Sequence, residues 1–198
     1  MLDNIVISGG FLVCSILFMI KAQIYISKKD TKIPLFDHLH KNMNYIKFYN
    51  ISDYFIYCYI LSLFYFNSHI CKFLNLLSLI YLIRTFSFTI TILPKCGKIK
   101  DKTETNSFKI LYNYLSLKDR HSGYNNDLLF SGHTSFMHLY YLYLTYFKYI
   151  SSANSTLLLI VNFLLSLLNI VSRCHYSIDI LYAYITTTFI FQNLINIV

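Results

Sequence analysis

The chain has 198 residues, the length of one domain, but 56% of them are apolar and only 13% are charged. This balance excludes an ordinary soluble fold and indicates an integral membrane protein. The formal net charge is +8, yet no basic helix or compact RNA-type motif collects the Lys and Arg residues, so we expect anionic lipid headgroups as their partners and no nucleic acid.

The predicted elements are membrane spans, each of which needs about 20 apolar residues as a helix. The first apolar run follows Asp3 and shows no clear cleavage site, so we expect it to be retained as an anchor. The expected fold is all-α: a polytopic membrane protein whose six transmembrane helices form one domain, residues 1–198. The six spans lie near residues 4–27, 51–67, 70–94, 128–148, 154–172 and 175–197.

The longer polar segments, residues 28–50 and 95–127, separate these spans. Counting crossings places both segments, the start of the fourth span and the end of the fifth on one membrane face. Most loop lysines lie on that face, and the positive-inside rule would put it in the cytosol. The five cysteines show no paired spacing of the zinc or redox kind, so no metal site is predicted.

The sequence S-G-H-T, residues 131–134, opens the fourth span. Gly132 allows a ligand to approach the backbone, and His133 stands at the helix start. A helix N-terminus has unpaired N–H groups and a positive dipole end, which favour phosphate.

His175 and Asp179 interrupt the last apolar region and stand four residues apart, so they share a helical face. A carboxylate in this position fixes the imidazole tautomer and supports positive charge on the ring. Together with His133 they suffice for phosphoryl or phosphodiester transfer, in which one imidazole attacks phosphorus or activates a hydroxyl and the other protonates the leaving oxygen. The alternative is a set of interfacial polar residues at helix ends.

The motifs resemble those of the sphingomyelin synthase family, a branch of the lipid phosphatase and phosphotransferase superfamily. S-G-H-T and H-Y-S-I-D are accompanied upstream by P-L-F-D at residues 34–37 and by R-T-F-S-F-T-I-T-I-L-P at residues 84–94. The four motifs stand in the family's order, between spans counted in the same way.

The resemblance implies a catalytic triad of His133, His175 and Asp179. His175, oriented by Asp179, would be the nucleophile or base at the donor's phosphorus, and His133 would protonate the diacylglycerol oxygen. The reaction would move phosphocholine or phosphoethanolamine from a glycerophospholipid to the primary hydroxyl of ceramide. Substrate contacts are expected from Arg84, Asp127, Ser131, Gly132 and Tyr176.

No cofactor is expected, because exchange between similar phosphodiesters needs positioning and charge stabilisation above all. The resemblance also implies a multi-pass protein of the Golgi, the endoplasmic reticulum or the plasma membrane, with the reaction centre on the lumenal or outer face. The lysine count implies the opposite orientation. We follow the resemblance, since loop lysines can also hold anionic headgroups. The oligomeric state stays open.

Roles of the supporting residues are less specific. The planar fork of Arg84 suits the donor phosphate, with a buried structural pair or snorkelling as the alternative. Asp127 is a candidate for orienting His133, for binding the headgroup or for capping the helix. Asp37 and Pro34 are expected to shape an entrance turn. Four further histidines are assigned to packing or to loops without a recognisable partner: His138, His38, His40 and His121.

The chain departs from the family pattern in two places. Asn125 and Asn126 replace a usual Cys-Gly, and Cys174 stands where animal enzymes have an acidic residue associated with headgroup choice. Choline, ethanolamine and inositol therefore all remain open as headgroups.

Two alternatives remain. A lipid phosphate phosphatase of the same superfamily would have Pro where this chain has Phe130, and Arg where it has Asn169, six residues before the second motif His. The nearby Arg173 does not replace that Arg, because it lies only two residues before His175. A non-catalytic lipid-binding membrane protein is the other alternative. The intact triad argues against it, and the lost Cys-Gly leaves it open.

Overall fold

The computed structural model describes residues 2–27, 35–46, 50–66, 68–94, 106–115 and 129–197. These ranges contain helices joined by turns and short irregular segments, which confirms the all-α prediction. The helices are α1 (Leu2–Ser27), α2 (His38–Asn42), α3 (Asn50–Leu63), α4 (Ile70–Ile90), α5 (Ser107–Leu115), α6 (Gly132–Tyr146), α7 (Ser152–Val171) and α8 (Ser177–Leu194).

Three helices are long and apolar enough to cross a membrane: Asn4–Ile26, Ile70–Ile90 and Ser152–Val171. Helices α3 and α6 have 14 and 15 residues, fewer than a span needs. Helix α8 has 18 residues, but Asp179 and a series of Tyr, Thr, Gln and Asn side chains make it less apolar. Six transmembrane helices are therefore not confirmed, because three of the predicted runs fold as shorter or more polar helices.

Helix α6 is the centre of the bundle and packs against α3, α4, α7 and α8. Its buried side chains face several neighbours, as expected for a helix enclosed by others. Phe73 of α4 meets Phe136 and Tyr143 edge to face, and Met137 is fully buried beside them in the same core. The remaining long helix, α1, packs along α4.

Side chains at the helix starts explain where several helices begin. Ser131 caps α6, accepting the Thr134 N–H at 3.3 Å. Asp37 caps α2, accepting the N–H groups of Leu39 and His40 at 2.9 and 3.2 Å. Such caps satisfy N–H groups that a helix leaves without an internal partner.

Helices α6 and α7 end at non-glycine residues in the left-handed region, Lys148 (φ 55) and Arg173 (φ 57). The Cys174 N–H donates to the Asn169 carbonyl at 3.0 Å, which is the hydrogen bond of a Schellman cap. In this motif the left-handed position, here Arg173, is usually glycine. The Arg173 side chain makes contacts that glycine could not make. Its Nη2 donates to the carbonyls of His40 and Met43 and holds α2 against the end of α7.

This difference predicts opposite effects of two matched substitutions. Lys148→Gly is expected to be neutral or to stabilise by about 1 kcal/mol, because it only relieves the left-handed backbone. Arg173→Gly gains the same relief but loses both contacts to α2, so it is expected to be less stable than Lys148→Gly by about 2 kcal/mol. Thermal unfolding in detergent measures both. Equal effects would show that Arg173 does not hold α2.

Candidate active site

The sequence motifs meet at one end of the bundle. The Tyr176 hydroxyl donates to the Pro94 carbonyl at 3.1 Å and accepts the Leu35 N–H at 3.0 Å, and Tyr176 is only 2% exposed. The segments carrying P-L-F-D, the T-I-L-P end of the second motif and H-Y-S-I-D therefore join through one side chain. That this end of the bundle lies at one membrane face stays a prediction.

His175 and Asp179 form the expected pair at the start of α8. His175 Nδ1 lies 3.2 Å from Asp179 Oδ2, and Asp179 is fully buried. The same oxygen accepts the Tyr176 N–H at 2.9 Å, so the carboxylate is fixed by the turn that carries His175. With Nδ1 facing the carboxylate, Nε2 is the nitrogen that faces away for chemistry.

Asp179 also organises the loop that leads into α6. Its Oδ1 accepts the Leu129 N–H at 2.9 Å, and its backbone carbonyl accepts the Ser131 N–H at 3.3 Å. Leu129 has φ 85, a region that a branched residue seldom occupies. Such local strain is found where surrounding contacts hold the backbone in place, often at functional sites. One carboxylate thus fixes His175 and sets the start of the helix that bears His133.

His133 has a carboxylate partner that the sequence analysis missed. Its Nε2 lies 2.7 Å from Asp53 Oδ1 in the first turn of α3. His133 is the more exposed of the two, at 41% of its side chain against 15% for Asp53. Asp53 is an acidic residue inside a predicted span, and such a residue is a functional candidate by default. That signal was present in the sequence.

Arg84 lies buried on α4 beside the start of α6. Its Nε donates to the Phe130 carbonyl at 2.8 Å, and a Cβ added to Gly132 would lie 3.4 Å from that nitrogen. Its Nη1 donates to Met19 Sδ at 2.7 Å. The guanidinium therefore lies beside the positive end of the α6 dipole, and the two together favour an anion.

His40 has a specific partner, so its assignment to a loop without one is wrong. Its Nε2 donates to the backbone carbonyl of His175 at 3.0 Å, and its ring lies against Tyr176 with centroids 5.4 Å apart. The contact joins residues 135 positions apart, and spacing along the chain gives no sign of it.

Asp37 ties α2 to α8. Its Oδ2 accepts the backbone N–H and the hydroxyl of Ser177, both at 2.7 Å, which agrees with a role in shaping the entrance. Burial opposes ionisation of Asp37, but the Ser177 and His40 N–H groups and the Ser177 hydroxyl outweigh it and hold the pKa of this carboxyl below its usual 3.8.

The pKa of Asp37 is lower in the folded protein than in the unfolded chain, where it is 3.8. The ionised carboxylate therefore stabilises the fold above pH 3.8, and this stabilisation is lost as the pH falls through the folded pKa. We expect Asp37→Asn to unfold at a lower temperature than the wild type near neutral pH. The difference in unfolding temperature between the two proteins is expected to narrow below pH 3.8. A melting-temperature series against pH tests this, and a gap that stays constant through the acidic range would contradict it.

The other predicted residues have structural contacts or lie outside the described residues. Ser131 is fully buried as the cap of α6, so this residue and Tyr176 position loops, and direct substrate contact by either stays a prediction. His138 donates to or accepts from Thr188 at 2.8 Å on α8, as expected for packing. Outside the described residues lie Pro34, His121, Asn125, Asn126 and Asp127.

Within the described ranges, no group of three or more His, Cys, Asp and Glu residues is arranged to hold a metal ion. The candidate site offers two imidazoles, each beside a carboxylate, and a buried guanidinium. This set can donate and accept protons and can stabilise negative charge on phosphate oxygens.

Residues 126–196 match the family model described as PAP2 superfamily C-terminal. The matched region contains α6, α7 and α8 with His133, His175 and Asp179. It supports an enzyme of the lipid phosphatase and phosphotransferase superfamily that acts on membrane lipids. No curated protein matches the chain.

Proposed function

We propose that the chain transfers a phosphoalcohol headgroup, phosphocholine or phosphoethanolamine, from a glycerophospholipid to the primary hydroxyl of ceramide. The products are a sphingophospholipid and diacylglycerol. The observation that carries the proposal is the pair of imidazole–carboxylate contacts, His175 with Asp179 and His133 with Asp53. They give one imidazole for attack and one for proton transfer, which is what exchange between two alcohols on one phosphorus requires.

In the first step, Nε2 of His175 attacks the donor's phosphorus, and the bond from phosphorus to the diacylglycerol oxygen breaks. Protonated His133 gives its proton to that oxygen, so diacylglycerol leaves as a neutral alcohol. Asp179 accepts the Nδ1–H of His175 and stabilises the positive charge that develops on the ring. The headgroup is then held on His175 through a phosphorus–nitrogen bond.

In the second step, the primary hydroxyl of ceramide attacks the same phosphorus while neutral His133 takes its proton. The phosphorus–nitrogen bond breaks, His175 is released, and His133 is again protonated for the next cycle. Asp53 would fix the tautomer of His133 throughout, because its Oδ1 faces Nε2 and directs Nδ1 to the reacting oxygens.

The donor phosphate would lie between Arg84 and the start of α6. The guanidinium carries a fixed positive charge and five N–H donors, of which Nε meets the Phe130 carbonyl and Nη1 meets Met19. Negative charge that grows on the phosphate oxygens in the transition state would be stabilised by this positive charge and by the helix dipole. We propose the lumenal or outer face for this centre, as the resemblance implies, and a protease-access map of residues 95–127 tests that orientation.

Transfer can be tested in sphingolipid-free membranes that hold the protein. Labelled ceramide is supplied with phosphatidylcholine, phosphatidylethanolamine or phosphatidylinositol, and the lipid products are separated. A labelled sphingophospholipid confirms the transferase and identifies its headgroup. Release of free phosphate from a lipid phosphate, with no sphingophospholipid formed, would support a phosphatase instead. Neither product from a folded, inserted protein would support a non-catalytic lipid-binding role.

The Gly132→Ala variant tests the proposed phosphate position without an expected loss of stability. The added Cβ would lie 3.4 Å from Arg84 Nε, in ordinary contact, and Ala is favoured over Gly by up to about 1 kcal/mol in helix interiors and by less at a helix start such as this. We therefore expect unchanged or raised stability together with lower transfer activity, because the methyl group fills the space between the guanidinium and the helix start.

Gly9→Ala in α1 is the matched control, since nothing lies within 4 Å of a Cβ there. Transfer rates and unfolding temperatures of the two variants are compared. Full activity of Gly132→Ala would show that the phosphate does not bind at this position.

A further inference from the structure

Helix α5 carries an aromatic face that the rest of the described chain leaves exposed. Phe108 and Tyr112 are 72% and 60% exposed, and their spacing of four residues places them on one side of the helix. Ile110 and Leu111 lie on another side and pack against α1, where Ile110 meets the fully buried Ile20. One apolar side of α5 is therefore covered by protein and a second one is not.

The contact with α1 fixes the depth of α5. Ile20 lies six residues before Ile26, where the first candidate span ends, and this corresponds to about 9 Å along a helix. The neighbouring residue, Met19, touches Arg84 at the candidate site. Helix α5 therefore lies at the level of that site, inside the end of the apolar span and not beyond it.

The charges around α5 suit a lipid surface. Residues 95–128 contain seven Lys or Arg against four Asp or Glu, an excess that favours anionic headgroups. Lys109 is exposed on α5 itself, between the two apolar sides. Aromatic rings beside a lysine that can extend toward water are typical of the membrane interface.

We propose that α5 is an interfacial helix, with Phe108 and Tyr112 inserted between the headgroups and acyl chains of the leaflet that contains the candidate site. Interfacial helices bury their apolar face about 5–10 Å into this boundary, which agrees with the level set by Ile20. A second protein copy is a poor occupant, because two side chains offer far less than the roughly 800 Å² per partner of a stable interface. The proposal does not depend on the proposed reaction.

The chain contains no Trp, so Phe108→Trp introduces a single fluorescent reporter on the exposed face. The full-length variant is reconstituted in vesicles of phosphatidylcholine and phosphatidylserine whose acyl chains carry bromine either near the carbonyl end or near the methyl end. We expect blue-shifted emission, with stronger quenching by bromine near the carbonyl end. Lys109→Trp, on the polar side, is the matched control and is expected to respond to aqueous acrylamide instead.

Three results would overturn the proposal. Quenching of Phe108→Trp by acrylamide as effective as that of Lys109→Trp, without an effect of bromine, would place the face in water. Protection from both quenchers would show that protein covers it. Tyr112→Trp controls for a local structural change caused by the Trp at position 108. It lies one turn away on the same side of α5, so it should show the same quenching pattern as Phe108→Trp. Disagreement between these two variants would also contradict an inserted face.

Discussion

Replacing His175 with Ala is expected to reduce headgroup transfer by at least about 10³-fold while leaving the protein folded and inserted. The imidazole would be both the attacking group and the partner of Asp179, whose carboxylate lies 3.2 Å from Nδ1. The backbone contacts of this turn do not need the ring: the His175 carbonyl still accepts from His40, and Asp179 still accepts the Tyr176 N–H. Chemistry and folding are therefore separable at this residue.

The measurement is the rate of sphingophospholipid formation at saturating ceramide, with amounts of inserted protein matched. His138→Gln is the control, because a Gln amide can replace the ring nitrogen that meets Thr188 and His138 lies outside the candidate site. If the His175→Ala protein retained more than about a tenth of the activity, His175 would not be the nucleophile, since loss of a covalent catalyst costs far more.

Asp53→Asn is expected to lower kcat by about 10²-fold to 10⁴-fold with little change in KM. The carboxylate lies 2.7 Å from Nε2 of His133, and an amide there can present its N–H to that nitrogen and select the other tautomer. Proton delivery to the leaving oxygen would then suffer, whereas substrate binding by Arg84 would not. Steady-state kinetics with varied ceramide and varied donor separate the two parameters.

The adjacent Ser52 provides a structural comparison. Its hydroxyl donates to Asn169 at 3.0 Å in a fully buried position, so Ser52→Ala is expected to lower stability by about 1–3 kcal/mol and to spare kcat. Asp53→Glu keeps a carboxylate and is expected to recover part of the activity. A loss by Asp53→Asn that appeared in the unfolding temperature and not in kcat would make this residue structural only.

Local patterns in the sequence predicted the elements that depend on near neighbours. His175 and Asp179 lie four residues apart and pair across one helical turn. S-G-H-T predicts the start of a helix, and α6 does begin at Gly132, but its cap is Ser131, a role that the sequence analysis did not assign to that residue. Such contacts follow from helix geometry alone. Run lengths predicted the three apolar spans, but they overstated α3, α6 and α8, because apolar residues in these regions line a packed bundle and need not extend the length of a span.

The sequence by itself determined an all-helical fold with long apolar helices, and the two helix starts that carry the candidate histidines, because these depend on composition and on spacings of a few residues. Only the tertiary structure decided which distant groups meet there. Asp53 reaches His133 across 80 residues, and His40 and Asp37 reach the turn of His175 and Ser177 across 135 and 140. Packing of α3 and α2 against the end of the bundle brings these groups together, and this packing depends on the shape of the whole core.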